Sequence, residues 1–66
     1  MSDFLFIDAG FNATSVAVRP VTEAGRSWFA EKMGAYAVGA TLAKSGAYAM
    51  MAAVAAAGLT YTVEVA

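Results

Sequence analysis

Cysteine and histidine are both absent from this 66-residue chain. That excludes disulfide staples, Cys/His zinc sites, thiol nucleophiles and every imidazole-based catalytic arrangement. Charge is also scarce: four Lys and Arg stand against five Asp and Glu, for a net charge of −1. Four offset cations are too few for the positive footprint of a nucleic-acid binder, and five carboxylates are too few for the negative surface of a DNA mimic. Long apolar runs are missing as well. The most apolar stretch, Gly46 to Ala57, would reach only about 18 Å as a helix, against a hydrocarbon core of about 30 Å, so no membrane span is expected. At the amino end Met1-Ser2-Asp3 is acidic and Asp8 interrupts Phe4 to Ile7, which predicts no export signal, a cytoplasmic chain and no use for the sequon Asn12-Ala13-Thr14.

What is abundant is small apolar residues. The composition is 61% hydrophobic and includes 17 Ala, which excludes disorder. A single small α/β domain over residues 1–66 is expected. A domain of about 60 residues buries only about 60% of its unfolded-chain surface and is marginal without help. With no cysteine or histidine for a staple, self-association or docking on a partner is the expected source of that help.

Phe4-Leu5-Phe6-Ile7 is a continuous apolar run ahead of the Asp8-Ala9-Gly10 turn signal, a pattern that predicts a strand buried on both faces. Ser15 to Arg19 alternates, and the two runs read as a hairpin with a loop around Gly10 and Asn12. Pro20, the single proline, ends the second strand. Thr22 is a good N-cap for a helix with Glu23 in its first turn and Gly34 as its stop. Gly25 inside that helix costs about 1 kcal/mol relative to Ala and marks a close approach to the sheet. Trp28 and Phe29 fall on the apolar stripe and read as core. Tyr36 to Ala43 alternates again, with Tyr36, Val38, Ala40 and Leu42 on one face and the small Ala37, Gly39, Thr41 and Ala43 on the other. Ser45 is the expected cap of a second helix over Gly46 to Ala57, presenting Tyr48, Met51 and Val54 and stopped by Gly58. Leu59, Tyr61, Val63 and Val65 alternate with polar residues as a last strand.

The expected fold class is α+β: a two-layer ββαβαβ domain with a mixed four-stranded sheet and two helices on one face. Strands two, three and four are expected to run parallel and the first antiparallel. The other face, with Ala17 and the Ala37, Gly39, Thr41, Ala43 strip, would be bare. Because parallel strands are rarely left uncovered, these five residues are the predicted partner-binding surface.

The hairpin from Phe6 to Val18, with its Asp8-Ala9-Gly10 turn, resembles the first phosphate-binding hairpin of the actin, heat-shock-chaperone and sugar-kinase superfamily. The resemblance implies Asp8 on hydrated magnesium and Gly10, Asn12 and Thr14 on phosphate. It covers 13 residues, with neither the second phosphate hairpin nor an adenosine segment in the chain, so the segment is read as an acidic turn and nucleotide binding through Asp8 is the lesser alternative. No cofactor or metal is expected, and no spacing forces two of Asp3, Asp8, Glu23, Glu31 and Glu64 together for acid-base work. A second resemblance runs from Arg19-Pro20-Val21-Thr22-Glu23-Ala24-Gly25-Arg26-Ser27-Trp28 through Gly39-Ala40-Thr41-Leu42 and Tyr48 to Ala57-Gly58-Leu59. It is similar to short uncharacterised phage, prophage and proteobacterial proteins with a capped Arg-x-Trp helix, although Val21 stands where Leu is usual.

That family has no assigned activity, so the resemblance implies only a setting, a phage or mobile element in the host cytoplasm. The surplus apolar surface and the weak catalytic and electrostatic signals lead to the expectation of a non-enzymatic protein acting by protein-protein binding, to itself as a homodimer and to a host protein. An inhibitor of host defence, such as an anti-CRISPR protein, fits the size. A structural or virion-assembly role is the other alternative.

Overall fold

In the computed structural model, residues 2–10, 13–34 and 39–65 are described. Six elements follow the expected order: β1 (Phe4–Asp8), β2 (Ser15–Pro20), α1 (Glu23–Met33), β3 (Ala40–Ala43), α2 (Lys44–Ala56) and β4 (Tyr61–Val65). They form one mixed four-stranded sheet in the order β3-β2-β1-β4 and two helices, which is the α+β architecture that the patterning predicts.

Strand directions depart from expectation. β2 is antiparallel to both its neighbours, and the parallel pair is β1 with β4. A helix running the length of a strand delivers the chain to that strand's far end and so produces parallel neighbours. Here the connection through α1 returns the chain to the end of β2 that it had left. Gly39 lies beside Arg19, where a Cβ would sit 2.7 Å from the Val18 carbonyl oxygen, and Ala40 pairs with Val18. The crossover to a strand of the same sense is β3-α2-β4, which spans both central strands. Residues 36–38 of the expected 36–43 strand lie outside the described residues, and Gly39 precedes β3.

Phe4, Phe6, Val16 and Val18 are buried beneath the helices, together with Phe29 of α1 and Ala47, Met50 and Val54 of α2. Phe4 anchors the aromatic part of this core, edge-on to Trp28 at 5.6 Å and tilted against Phe29 at 6.2 Å. Such pairs contribute about 0.5–1.5 kcal/mol beyond area burial. Trp28 and Phe29 therefore belong to the core side, as their spacing predicts.

The start of α1 is tied down as expected. The Thr22 hydroxyl accepts from the Gly25 N–H at 3.1 Å and donates to the Asp3 carboxylate at 2.5 Å. The other Asp3 oxygen accepts from the Thr60 N–H and hydroxyl, at 3.0 and 3.2 Å. These contacts, the Thr22 hydroxyl first and the Thr60 backbone next, hold the Asp3 carboxyl below its ordinary pKa. A Cβ at Gly25 would lie 2.4 Å from the Asp3 carbonyl oxygen, so glycine sits there because helix and chain meet at backbone distance.

α2 differs from its sequence reading in two ways. It starts at Lys44, with Ala43 at the cap position and no side-chain cap, rather than after Ser45. The Lys44 N–H instead bonds the Thr14 carbonyl at 3.3 Å, continuing directly from the end of β3. Its buried stripe is Ala47, Met50 and Val54, and Tyr48 points to solvent at 56% exposure. A helix that is apolar nearly all round offers no unique stripe to a periodicity argument; the small Ala47 side chain lets α2 settle on the sheet, whereas Tyr48 would hold it away. Gly58, with φ 80°, turns the chain after α2, and the Leu59 N–H closes on the Val54 carbonyl at 3.1 Å. Among the described residues, no helix is long and apolar enough to cross a membrane.

Candidate functional site

The register of the sheet fixes which side chains share its uncovered face. Paired residues point the same way, so Thr41, Ala17, Ile7 and Glu64 form one row across all four strands, and Arg19, Leu5 and Thr62 form the next. Ser15 and Ala43 continue the face past the first row. Its centre is apolar and half-buried, at Leu5, Ile7 and Ala17, and its rim is exposed and polar or small, at Arg19, Thr41, Ala43, Thr62 and Glu64.

Of the five residues predicted for partner binding, the structure brings Ala17, Thr41 and Ala43 onto this face, with Ala17 paired to Thr41. Gly39 precedes β3 beside Arg19, and Ala37 lies outside the described residues. Leu5 and Ile7 lie outside the predicted surface because the run Phe4 to Ile7 reads as a strand covered on both sides. Only Phe4 and Phe6 are covered; Leu5 and Ile7 face away from the helices. The signal for them was present in the sequence as an apolar run without alternation, set in a chain with only two helices.

The change of strand direction alters the argument for a partner. Two of the three strand pairings are antiparallel, and antiparallel sheets commonly face water on one side, so an open face by itself calls for cover less strongly than in a mostly parallel sheet. What remains is the chemistry of the middle strand, since solvent-facing positions of such sheets are usually polar, and here two consecutive ones are Leu and Ile.

The acidic turn is closed by the protein's own groups. Asp8 Oδ1 accepts from the Gly10 N–H at 3.0 Å and lies 3.7 Å from Lys44 Nζ, which also donates to the Gly10 carbonyl at 3.1 Å. Lys44 thus pins the hairpin loop to the start of α2. Among the described residues no group of three or more His, Cys, Asp or Glu is gathered at metal-binding distance.

A shallow cleft of about 450 Å³ opens between the helices over β3, walled by Trp28, Leu42, Ala49, Met50 and Ala53 with Lys32 at its lip. Nothing in the sequence points to it, because it depends on how far apart the two helices rest. Its lining is almost wholly apolar, with no convergent set of polar groups to fix a ligand's orientation.

Compared with known proteins, the chain matches no family model, no curated protein and no solved structure.

Proposed function

We propose that this is a non-enzymatic protein that acts stoichiometrically by binding another protein through the uncovered sheet face. The observation behind this reading is β1: its sequence is that of a strand covered on both sides, and the chain covers only the Phe4 and Phe6 side. Full burial of a Leu or Ile side chain contributes about 1.5–3 kcal/mol relative to full exposure, and part of that gain is unrealised at Leu5 and Ile7. A partner surface laid on the face would collect it, with Arg19, Glu64, Thr41 and Thr62 forming a polar rim around an apolar centre, the usual anatomy of a protein interface. The proposed setting is a phage or mobile element acting in the host cytoplasm on a host protein, with inhibition of a defence system such as CRISPR as the role. Self-association as a homodimer belongs to the same reading.

The test is capture of partners from the organism that carries the gene, using the wild-type chain, Ile7→Arg and Tyr48→Arg as baits. Tyr48 is exposed on the helical side and controls for added charge. The reading predicts a protein retained by wild type and Tyr48→Arg and lost with Ile7→Arg, all three baits being folded by circular dichroism. Equal retention by all three baits contradicts it.

A further inference from the structure

We propose that β4 is the interface of a homodimer in which two copies pair antiparallel about Val63, joining their sheets into one continuous sheet. This builds on the self-association part of the function proposed above and assigns it to a surface other than the open face. β4 is an edge strand, and every one of its five residues is exposed. Its register with β1 runs unbroken from Phe4↔Tyr61 to Asp8↔Val65. It thus carries no bulge, proline or lysine, the devices that normally blunt an edge against pairing. The opposite edge, β3, passes straight into α2 at its end, and among the described residues β4 is the longer open template.

The number of outward backbone groups that find a partner selects one register. The Phe4 N–H bonds the Thr60 carbonyl at 3.1 Å, and a parallel ladder in that phase turns the N–H and C=O groups of Thr62 and Glu64 toward β1. Those of Tyr61, Val63 and Val65 then face outward. Antiparallel pairing centred on Val63 sets Val63 against its own copy and Tyr61 against Val65, so every outward group of the three residues finds a partner. Centring on Thr62 or Glu64 makes that residue a non-hydrogen-bonded pair and satisfies only two of the three outward residues, and centring on Tyr61 or Val65 satisfies one.

The same register matches side chains. Tyr61, Val63 and Val65 lie on the helical side of the sheet, 39%, 43% and 72% exposed, and the pairing makes of them one apolar row continuous with Phe6, which Tyr61 already meets edge-on at 5.6 Å. On the other side, Thr62 faces Glu64 of the second copy. Its hydroxyl, in contact with the Ser2 hydroxyl, can accept from Ser2 and donate to that carboxylate. The two Glu64 are kept about 8 Å apart at Cα by the strand spacing and rise. The open faces of both copies then lie side by side, presenting a two-fold partner surface.

Sedimentation and oxidative crosslinking of the full chain test this. Wild type is expected to show a concentration-dependent dimer. Val63→Pro is expected to weaken it at least tenfold with unchanged circular dichroism, because the nitrogen it alters faces away from β1. In a chain without cysteine, Val63→Cys is expected to form a disulfide dimer on oxidation, since the two Cα atoms of a directly opposed pair lie about 5.5 Å apart. Tyr61→Cys alone is expected not to link. A strictly monomeric wild type, a dimer indifferent to Val63→Pro, or linking of Tyr61→Cys as readily as Val63→Cys overturns the proposal. Val63→Pro leaves the open face intact and Ile7→Arg leaves the β4 edge intact, so either reading can fail without the other.

Discussion

Gly25 shows how a single atom decides the placement of an element. Alanine is the better helix former by about 1 kcal/mol, yet the added methyl carbon would stand 2.4 Å from the Asp3 carbonyl oxygen, a backbone atom that also accepts from the Val21 N–H at 2.8 Å. Neither partner is a flexible side-chain end that can swing aside. Gly25→Ala is therefore expected to destabilise the fold by about 1–3 kcal/mol, the usual cost of forcing an atom into a filled site, and denaturant unfolding measures it. An unchanged or raised midpoint would mean that α1 moves freely off the start of β1. The glycine was legible in the sequence as a close approach, but its contact was not, because nothing local to α1 says that Asp3 lies across from it.

At the scale of elements, Asp3 is the junction at which β1, the cap of α1 and the lead into β4 meet, through Thr22 and Thr60. Its carboxyl is held below the ordinary aspartate range, first by the Thr22 hydroxyl and then by the Thr60 backbone. A depressed folded-state pKa contributes stability that is present above the unfolded value and lost as pH falls through the folded one. Thermal midpoints should therefore drop on acidification below about pH 4. Asp3→Asn should lower the midpoint at neutral pH and reduce its fall between pH 5 and the acid limit, which melts across that range would show. A wild-type and Asp3→Asn pair with parallel pH profiles would remove Asp3 from this role. Elements that local chemistry specifies were readable: the Thr22 cap, the β1–β2 hairpin, the alternating β4. Elements specified by neighbours were not. The buried stripe of α2 could not be chosen among alanines by period alone, the direction of β3 depends on where the chain after α1 re-enters the sheet, and the uncovered side of β1 depends on the number of helices available to cover it. The predicted site suffered in the same way. Alternation in their own strands places Thr41, Ala43 and Ala17 on the open face, whereas Leu5 and Ile7, the apolar centre of the face, come from a strand whose pattern promises two covered sides.

For the whole molecule, composition alone overstates the case for association. The folded chain exposes 4030 Å², close to the roughly 4,000 Å² that a compact monomer of 6.8 kDa presents, so no gross excess of surface has to be hidden. What distinguishes this surface is where its apolar part lies: at Leu5 and Ile7 in the middle of the open face, and along Tyr61, Val63 and Val65 at an unprotected edge. In the proposed reading these positions recognise a partner by shape and apolar contact. In the proposed complex the face that is open in the free chain is covered. Methyl NMR with a soluble paramagnetic probe tests it most directly, comparing Leu5 and Ile7 with Val16, Val18 and Val54, first in the chain alone and then with the captured partner. We predict strong broadening of the Leu5 and Ile7 methyls and little of the three valines in the free protein, with the Leu5 and Ile7 signals shielded once the partner is bound. Ile7 as shielded as Val18 in the free monomer, or still fully reached by the probe in the complex, would contradict the account.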